Sequence, residues 1–255
     1  MLIILSPAKT LDFENARIIE QKSFPEFNNQ ANQLIQLLKK YSVSELMGMM
    51  DISDKLALLN VSRFKTWQKE PDETIMRQAI CAFNGEAYTG LNVNDWTDVD
   101  FAFAQEHLRI LSGLYGVLRP LDYISPYRLE IGIKLPNKKG GSLYEFWGNQ
   151  ITKNIGSQLK TQGDNFLINL ASNEYFKAIR PKELKAEIIT PAFKEGKNGQ
   201  FNVVSIFAKK ARGMMSRYII KNRISQPQQI KEFTESGYSY NDRLSNGNEC
   251  VFTRG

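Results

Sequence analysis

A chain of 255 residues, 42% of them hydrophobic, is long enough to bury a sizeable core and sits at the upper edge of what one domain holds, so a single domain over 1–255 is expected. Lys and Arg number 33 against 27 Asp and Glu, and a pI near 9.1 admits a polyanionic partner wherever the positive charges cluster. Two distant cysteines, Cys81 and Cys250, support neither a disulfide framework nor a CxxC site, and neither a membrane-spanning run nor a signal peptide is read in the chain; the expectation is a cytoplasmic protein without a membrane or cofactor requirement.

The first element is Leu2-Ile3-Ile4-Leu5, a short apolar run that reads as a buried strand entering a loop at Ser6-Pro7-Ala8-Lys9-Thr10. Helical spacing dominates from about Asn28 to about Ala104, with Leu34, Leu37, Leu38 and Tyr41 on one stripe and shorter repeats at Ser44 with Met47 and Asp54 with Leu58. The second half turns towards β structure: Asn165 to Leu170, Glu187 to Thr190, Phe201 to Phe207 and Glu249 to Thr253 are short apolar or β-branched runs, with a turn at Lys197-Asn198-Gly199. The expected fold class is α+β, a single domain with a mixed central β-sheet and surrounding helices.

A helical run from Asp100 through Ile110 leads into Leu111-Ser112-Gly113-Leu114-Tyr115-Gly116-Val117. An apolar-x-Gly-apolar-x-Gly turn of this kind resembles the hairpin of a helix-hairpin-helix element, whose backbone N–H groups reach DNA phosphates. Gly113, Tyr115 and Gly116 are its expected contacts, and Arg109, Arg119 and Arg128 flank it as charge-assisted ones. An ordinary Gly-terminated helix is the alternative.

Between Lys209 and Arg223 the chain carries Lys209, Lys210, Arg212, Arg217, Lys221 and Arg223 with no acid among them. On a helix, Lys210, Arg217 and Lys221 align on one ridge while Ala208, Ala211, Met215, Tyr218 and Ile219 fall opposite, so the segment is expected to bury one face and offer a basic one to phosphates. The aromatic stretch Leu143 to Gly148 reads as core, because Leu143, Phe146 and Trp147 share a face with Ile151. Catalytic signals are weaker. His107 is the lone histidine, Asp12, Asp122, Glu130 and Glu174 show no paired spacing, and Lys9 reads equally as an active-site lysine or a phosphate contact.

Taken together, the segments from Ile4 to Asp12 (ILSPAKTLD), Tyr88 to Leu91, Leu108 to Gly132 (LRILSGLYGVLRPLDYISPYRLEIG), Leu143 to Gly148, Asn169 to Phe176 (NLASNEYF) and Ala208 to Arg223 resemble the YaaA family of bacterial peroxide-stress proteins along almost the whole chain. The resemblance implies a family-specific fold with a helix-hairpin-helix and a positively charged cleft. It also implies binding of double-stranded or branched DNA without sequence specificity, and a role in limiting oxidative DNA damage and free iron during peroxide stress. The family's hairpin maps onto Leu111 to Val117. The alternative is a nucleic-acid-modifying or repair enzyme that uses the hairpin to hold substrate, with Glu130 or Asp122 as its acid; a binding protein is the favoured expectation.

Overall fold

The computed structural model describes residues 1–255. Its centre is the apolar run at the start of the chain. Leu2–Leu5 forms a strand whose four residues are buried, as expected of a strand covered on both faces in a parallel sheet. The strand pairs in parallel with Leu108–Ser112 on one side and Phe166–Leu170 on the other. Beyond Phe166–Leu170 come Glu187–Lys197 and Glu249–Arg254, also parallel, and the edges are the short antiparallel strands Gly116–Leu118 and Ser239–Tyr240. This is a mixed central sheet with helices around it, in one domain.

The register has a consequence for function. After Leu5 the chain travels to Leu108–Ser112 on one side of the central strand, whereas after Leu170 it travels to Glu187–Lys197 on the other. The carboxyl ends of Leu2–Leu5 and Phe166–Leu170 therefore flank a switch point, the place where the connections of an open α/β sheet diverge and leave a crevice.

The expected helices Asn28–Leu38, Val43–Met50 and Asp54–Thr66 are present, the second opened by a capping box between Ser42 and Glu45. Leu143, Phe146, Trp147 and Ile151 are buried, as their shared face anticipates. The turn before Gln200–Asn202 has Asn198 and Gly199 at positive φ, as a tight hairpin requires.

Two local expectations change. The helix begun at Asp98 ends at His107, and Leu108–Ser112 is a strand that turns back through Gly113 to Tyr115 into Gly116–Leu118. The Gly-x-x-Gly turn is thus a β-hairpin and not a turn between two helices. Leu108, Ile110 and Leu111, with buried Arg109 between the first two, extend the sheet beside Leu2–Leu5, and that tertiary pairing outweighs the helical spacing that precedes it. The apolar run Phe201 to Phe207 is a strand only to Asn202 and enters the Ser205–Lys221 helix, leaving Ile206 and Phe207 exposed.

The Ser205–Lys221 helix lies against Glu86–Leu91 at a distance that only glycine permits. A Cβ on Gly213 would stand 1.7 Å from the Ala87 carbonyl oxygen, and one on Gly90 would stand 2.1 Å from the Lys210 carbonyl oxygen. Ala208, Ala211, Met215 and Ile219 face the core, so the amphipathic reading of the helix is correct in its buried face.

Candidate functional site

A cavity of about 300 Å³ opens at the switch point. Its floor is the pair of serines that follow the two diverging strands: the Ser172 backbone N–H donates to Ser6 Oγ at 2.8 Å, and the Ser6 and Ser172 hydroxyls are 3.3 Å apart. Tyr88, from the Glu86–Leu91 helix, donates its phenol to the Ser6 carbonyl at 3.2 Å. Tyr127 and Tyr175 complete the aromatic wall, Tyr127 lying 2.6 Å from the Ser112 hydroxyl. Burial pushes the phenols of Tyr88, Tyr127 and Tyr175 up from their ordinary values, so all three are neutral donors at any physiological pH.

Glu130 is the central charged group. It is buried, and its Oε1 accepts from Arg128 Nε at 3.1 Å and Nη2 at 3.0 Å, with Lys9 Nζ 3.5 Å away. Its Oε2 is buried without any hydrogen-bond partner. A buried carboxylate oxygen left unpaired costs on the order of 1–3 kcal/mol. Glu174, on the rim, accepts from the Gly132 N–H at 3.1 Å.

Cations surround the opening. Lys9 extends from the loop after the first strand with 68% of its side chain exposed, and Lys209 and Arg212 come from the Ser205–Lys221 helix. Burial lowers the Arg212 guanidinium from its ordinary value, and no carboxylate offsets that effect. Lys210 is exposed next to Lys209.

The structure thus gathers Lys9, Arg128, Lys209 and Arg212, expected from separate parts of the sequence, around one cavity, with Lys210 adjoining. The remaining expected contacts are corrected. Gly113, Tyr115 and Gly116 are enclosed in the β-hairpin: a Cβ on Gly113 would stand 2.1 Å from the Leu129 carbonyl oxygen, and one on Gly116, whose φ is +68°, 2.8 Å from the Trp147 ring. Tyr115 spends its hydroxyl on the Trp67 indole N–H at 3.1 Å and the Ser125 N–H at 3.3 Å. These glycines serve close packing, and their amides are out of reach of a phosphate.

Arg109 is buried and donates to the carbonyls of Gln105 and Leu108 at 2.8 and 2.7 Å. Arg119 is paired with buried Asp122 at 2.9 Å. Asp122 also accepts from the Arg119 N–H and the Ser23 hydroxyl, which removes it as a candidate acid.

The C-terminal half of the basic segment is compensated by acids from two other elements, the turn Val93–Asp95 and the helix Asp98–His107. Arg217 makes two hydrogen bonds to Asp95, at 2.7 and 2.5 Å, while Lys221 at 3.0 Å and Arg223 at 2.7 Å share buried Asp100. Arg223 lies beyond the helix at positive φ. The sequence shows no acid within the segment because the acids come from residues 95 and 100, more than a hundred positions earlier. The aromatic wall was missed for the opposite reason: Tyr88, Tyr127 and Tyr175 sit in unremarkable contexts that only the sheet topology unites.

His107 is structural, with Nδ1 2.9 Å from the Met1 carbonyl and its ring stacked on Phe103. No cluster of three His, Cys, Asp or Glu side chains is arranged to hold a metal ion, and no helix is long and apolar enough to cross a membrane. Burial pushes the Cys81 thiol up to about 12 against the opposing charge of Arg17, and raises Cys250 as well. Alkylation of native protein by iodoacetamide near pH 7.5, followed by mass spectrometry, is therefore expected to run at least ~100-fold slower than in urea, because the thiolate is the reacting form. Comparable rates in the two states would show an accessible, activated thiol.

Compared with known protein families, residues 1–244 match the family described as Peroxide stress protein YaaA. The chain belongs to that family. Its membership is consistent with a role in the response to oxidative stress.

Proposed function

We propose that the protein binds double-stranded or branched DNA through its phosphate backbone, without reading sequence, and in that way limits oxidative DNA damage and free intracellular iron during peroxide stress. The observation that carries the reading is the group of cations at and beside the cavity: Lys209 and Arg212, which line it without an acidic partner, exposed Lys210 next to them, and exposed Lys9, whose one acidic neighbour, Glu130, is shared with Arg128. Arg217, Lys221 and Arg223 on the same segment are neutralised by carboxylates, so the helix divides into a structural lower half and an upper half with charge left to offer. Phosphate contacts from flexible cationic side chains position a duplex but carry little base information.

A second reading, a nucleic-acid-modifying enzyme, keeps one supporting observation: Glu130 is a buried carboxylate in the lining of a cavity that Lys9 also lines. Of the two acids weighed for that role, only Glu130 retains capacity.

Competition between a labelled duplex and unlabelled duplexes of scrambled sequence tests the binding reading. Equal competition within about twofold is expected from phosphate contacts alone. A scrambled duplex that competes many-fold worse would demonstrate base readout and overturn it.

A further inference from the structure

We infer that Ile206 and Phe207 form an apolar wedge that enters a weakened base step of the bound duplex and kinks it, while Lys209 and Lys210 hold adjoining phosphates. The inference rests on the DNA-binding reading and adds how the bound DNA is deformed.

The segment from Phe201 to Phe207 keeps five large apolar side chains in solvent: Phe201, Val203, Val204, Ile206 and Phe207 are all exposed. A single exposed apolar residue needs no explanation, but a contiguous group of them marks a contact surface. The fold concentrates this group at one place. Gln200–Asn202 is an edge strand paired only with Glu187–Lys197, and the chain then enters the Ser205–Lys221 helix, so Ile206 and Phe207 stand in its first turn, 52% and 43% exposed. The Arg254 guanidinium lies 4.9 Å from the centre of the Phe207 ring and is itself held by Glu195 at 2.6 Å, so the aromatic side chain is braced before any partner arrives.

Charge selects the partner. From Gly196 to Lys231 the chain has no Asp or Glu. Ile206 shares a helix face with Lys209 and Lys210, three and four residues on, and both lysines are exposed; Lys197 is exposed at the other end of the apolar run. A second copy of the chain, seated on this patch about a two-fold axis, would bring these cations together with no acid from the segment to pair them. An anionic bilayer takes up the long apolar face of a helix lying in its plane, and that face of Ser205–Lys221, with Ala208, Ala211, Met215 and Ile219, is buried in the core. What remains in solvent is a short apolar projection beside a pair of lysines. Duplex DNA matches both parts, with phosphates for the cations and a stack of bases that Ile and Phe side chains enter when a step opens.

The test uses the full chain and two duplexes of about 25 base pairs, end-labelled for energy transfer and identical except for one central mismatch. The wild-type protein is expected to raise the transfer in both, as a kink of at least about 20° requires. It should bind the mismatched duplex about 10-fold tighter, because part of the stacking that a wedge must break is already lost there. In the double variant Ile206→Ser/Phe207→Ser, checked for folding by circular dichroism, the affinity ratio should fall close to one and the transfer should stay at its unbound value. The slope of log affinity against log salt should not change, since no cation has been removed. Either unchanged transfer or equal affinity of the wild type for the two duplexes overturns the inference and leaves the DNA reading intact, whereas binding to neither duplex overturns both. A kink and a preference that persist in the folded double variant overturn it, as does a salt slope that falls with them, because the apolar pair would then only seat the lysines. Should the double variant not fold, Ile206→Gln replaces it, and wild-type values of both readouts in that variant overturn the inference. Tighter binding to phosphatidylserine-containing vesicles than to the mismatched duplex, or a dimer in sedimentation that the variant abolishes, overturns it in favour of a bilayer or a second copy.

Discussion

Gly213→Ala is expected to lower the free energy of unfolding by about 2–4 kcal/mol, a large effect for one added methyl group. Glycine costs a helix interior roughly 1 kcal/mol relative to alanine, so on propensity alone the substitution would stabilise. Packing decides the sign. The new Cβ would stand 1.7 Å from the Ala87 carbonyl oxygen and 2.8 Å from the Leu91 nitrogen, both backbone atoms that cannot rotate away. The Ser205–Lys221 and Glu86–Leu91 helices would have to separate, and Gly90 opposes the Lys210 carbonyl in the same contact. Because Ala87, Tyr88, Lys209 and Arg212 line the cavity from these two helices, the folded fraction should also bind DNA more weakly. Denaturant unfolding at neutral pH reads the effect, and a midpoint at or above the wild-type value would show that the helices do not meet in this way.

Asp100→Ala is expected to cost about 3 kcal/mol. This carboxylate, 4% exposed, accepts from the Thr97 backbone N–H at 2.8 Å and its hydroxyl at 3.0 Å, closing a capping box, and from Lys221 and Arg223 at 3.0 and 2.7 Å. Its removal breaks the capping box, leaving only the Thr97 hydroxyl to cap the helix start, and deprives two cations of their carboxylate. Burial alone would raise the Asp100 pKa, but the Thr97 N–H, Arg223, Lys221 and the Thr97 hydroxyl together outweigh it and hold the carboxyl well below the usual carboxylate range. The folded pKa being depressed, the stabilisation is fully present above the unfolded value of about 4 and is lost as pH falls through that value towards the folded one. The stability gap between wild type and Asp100→Ala should therefore narrow from pH 7 to about pH 3. A gap independent of pH would mean that the ionised carboxylate is not what joins these residues.

The same ion pairs explain how far the sequence could be read. The amphipathic character of Ser205–Lys221 is a local property, and Ala208, Ala211, Met215 and Ile219 face the core as their spacing indicates. Whether the opposite cations are free is not local, because Asp95 arrives from the short turn Val93–Asp95 and Asp100 from the start of the Asp98–His107 helix. The hairpin at Gly113 to Gly116 shows the same division. Its glycines signal a tight turn, correctly, but whether strands or helices flank the turn depends on the pairing of Leu108–Ser112 with Leu2–Leu5, which are over a hundred residues apart. Lys9, Arg128, Lys209 and Arg212 were each visible as basic residues near turns or on a helix face. Their convergence on one cavity, which Glu130 also lines, follows from strand order and from the close helix contact at Gly90 and Gly213.

The most direct test of DNA binding at the cavity mouth is the salt dependence of duplex affinity for the wild type and for a variant with Lys9, Lys209, Lys210 and Arg212 all changed to Gln. Each phosphate neutralised contributes about 0.9 to the slope of log affinity against log salt, so the variant's slope should be shallower by about 3 to 4. Lys221→Gln, which loses an ion pair to Asp100 rather than a phosphate contact, should leave the slope as it is. A folded quadruple variant with the wild-type slope, or a wild-type protein that does not bind duplex DNA at low salt, would contradict the assignment of this surface to DNA.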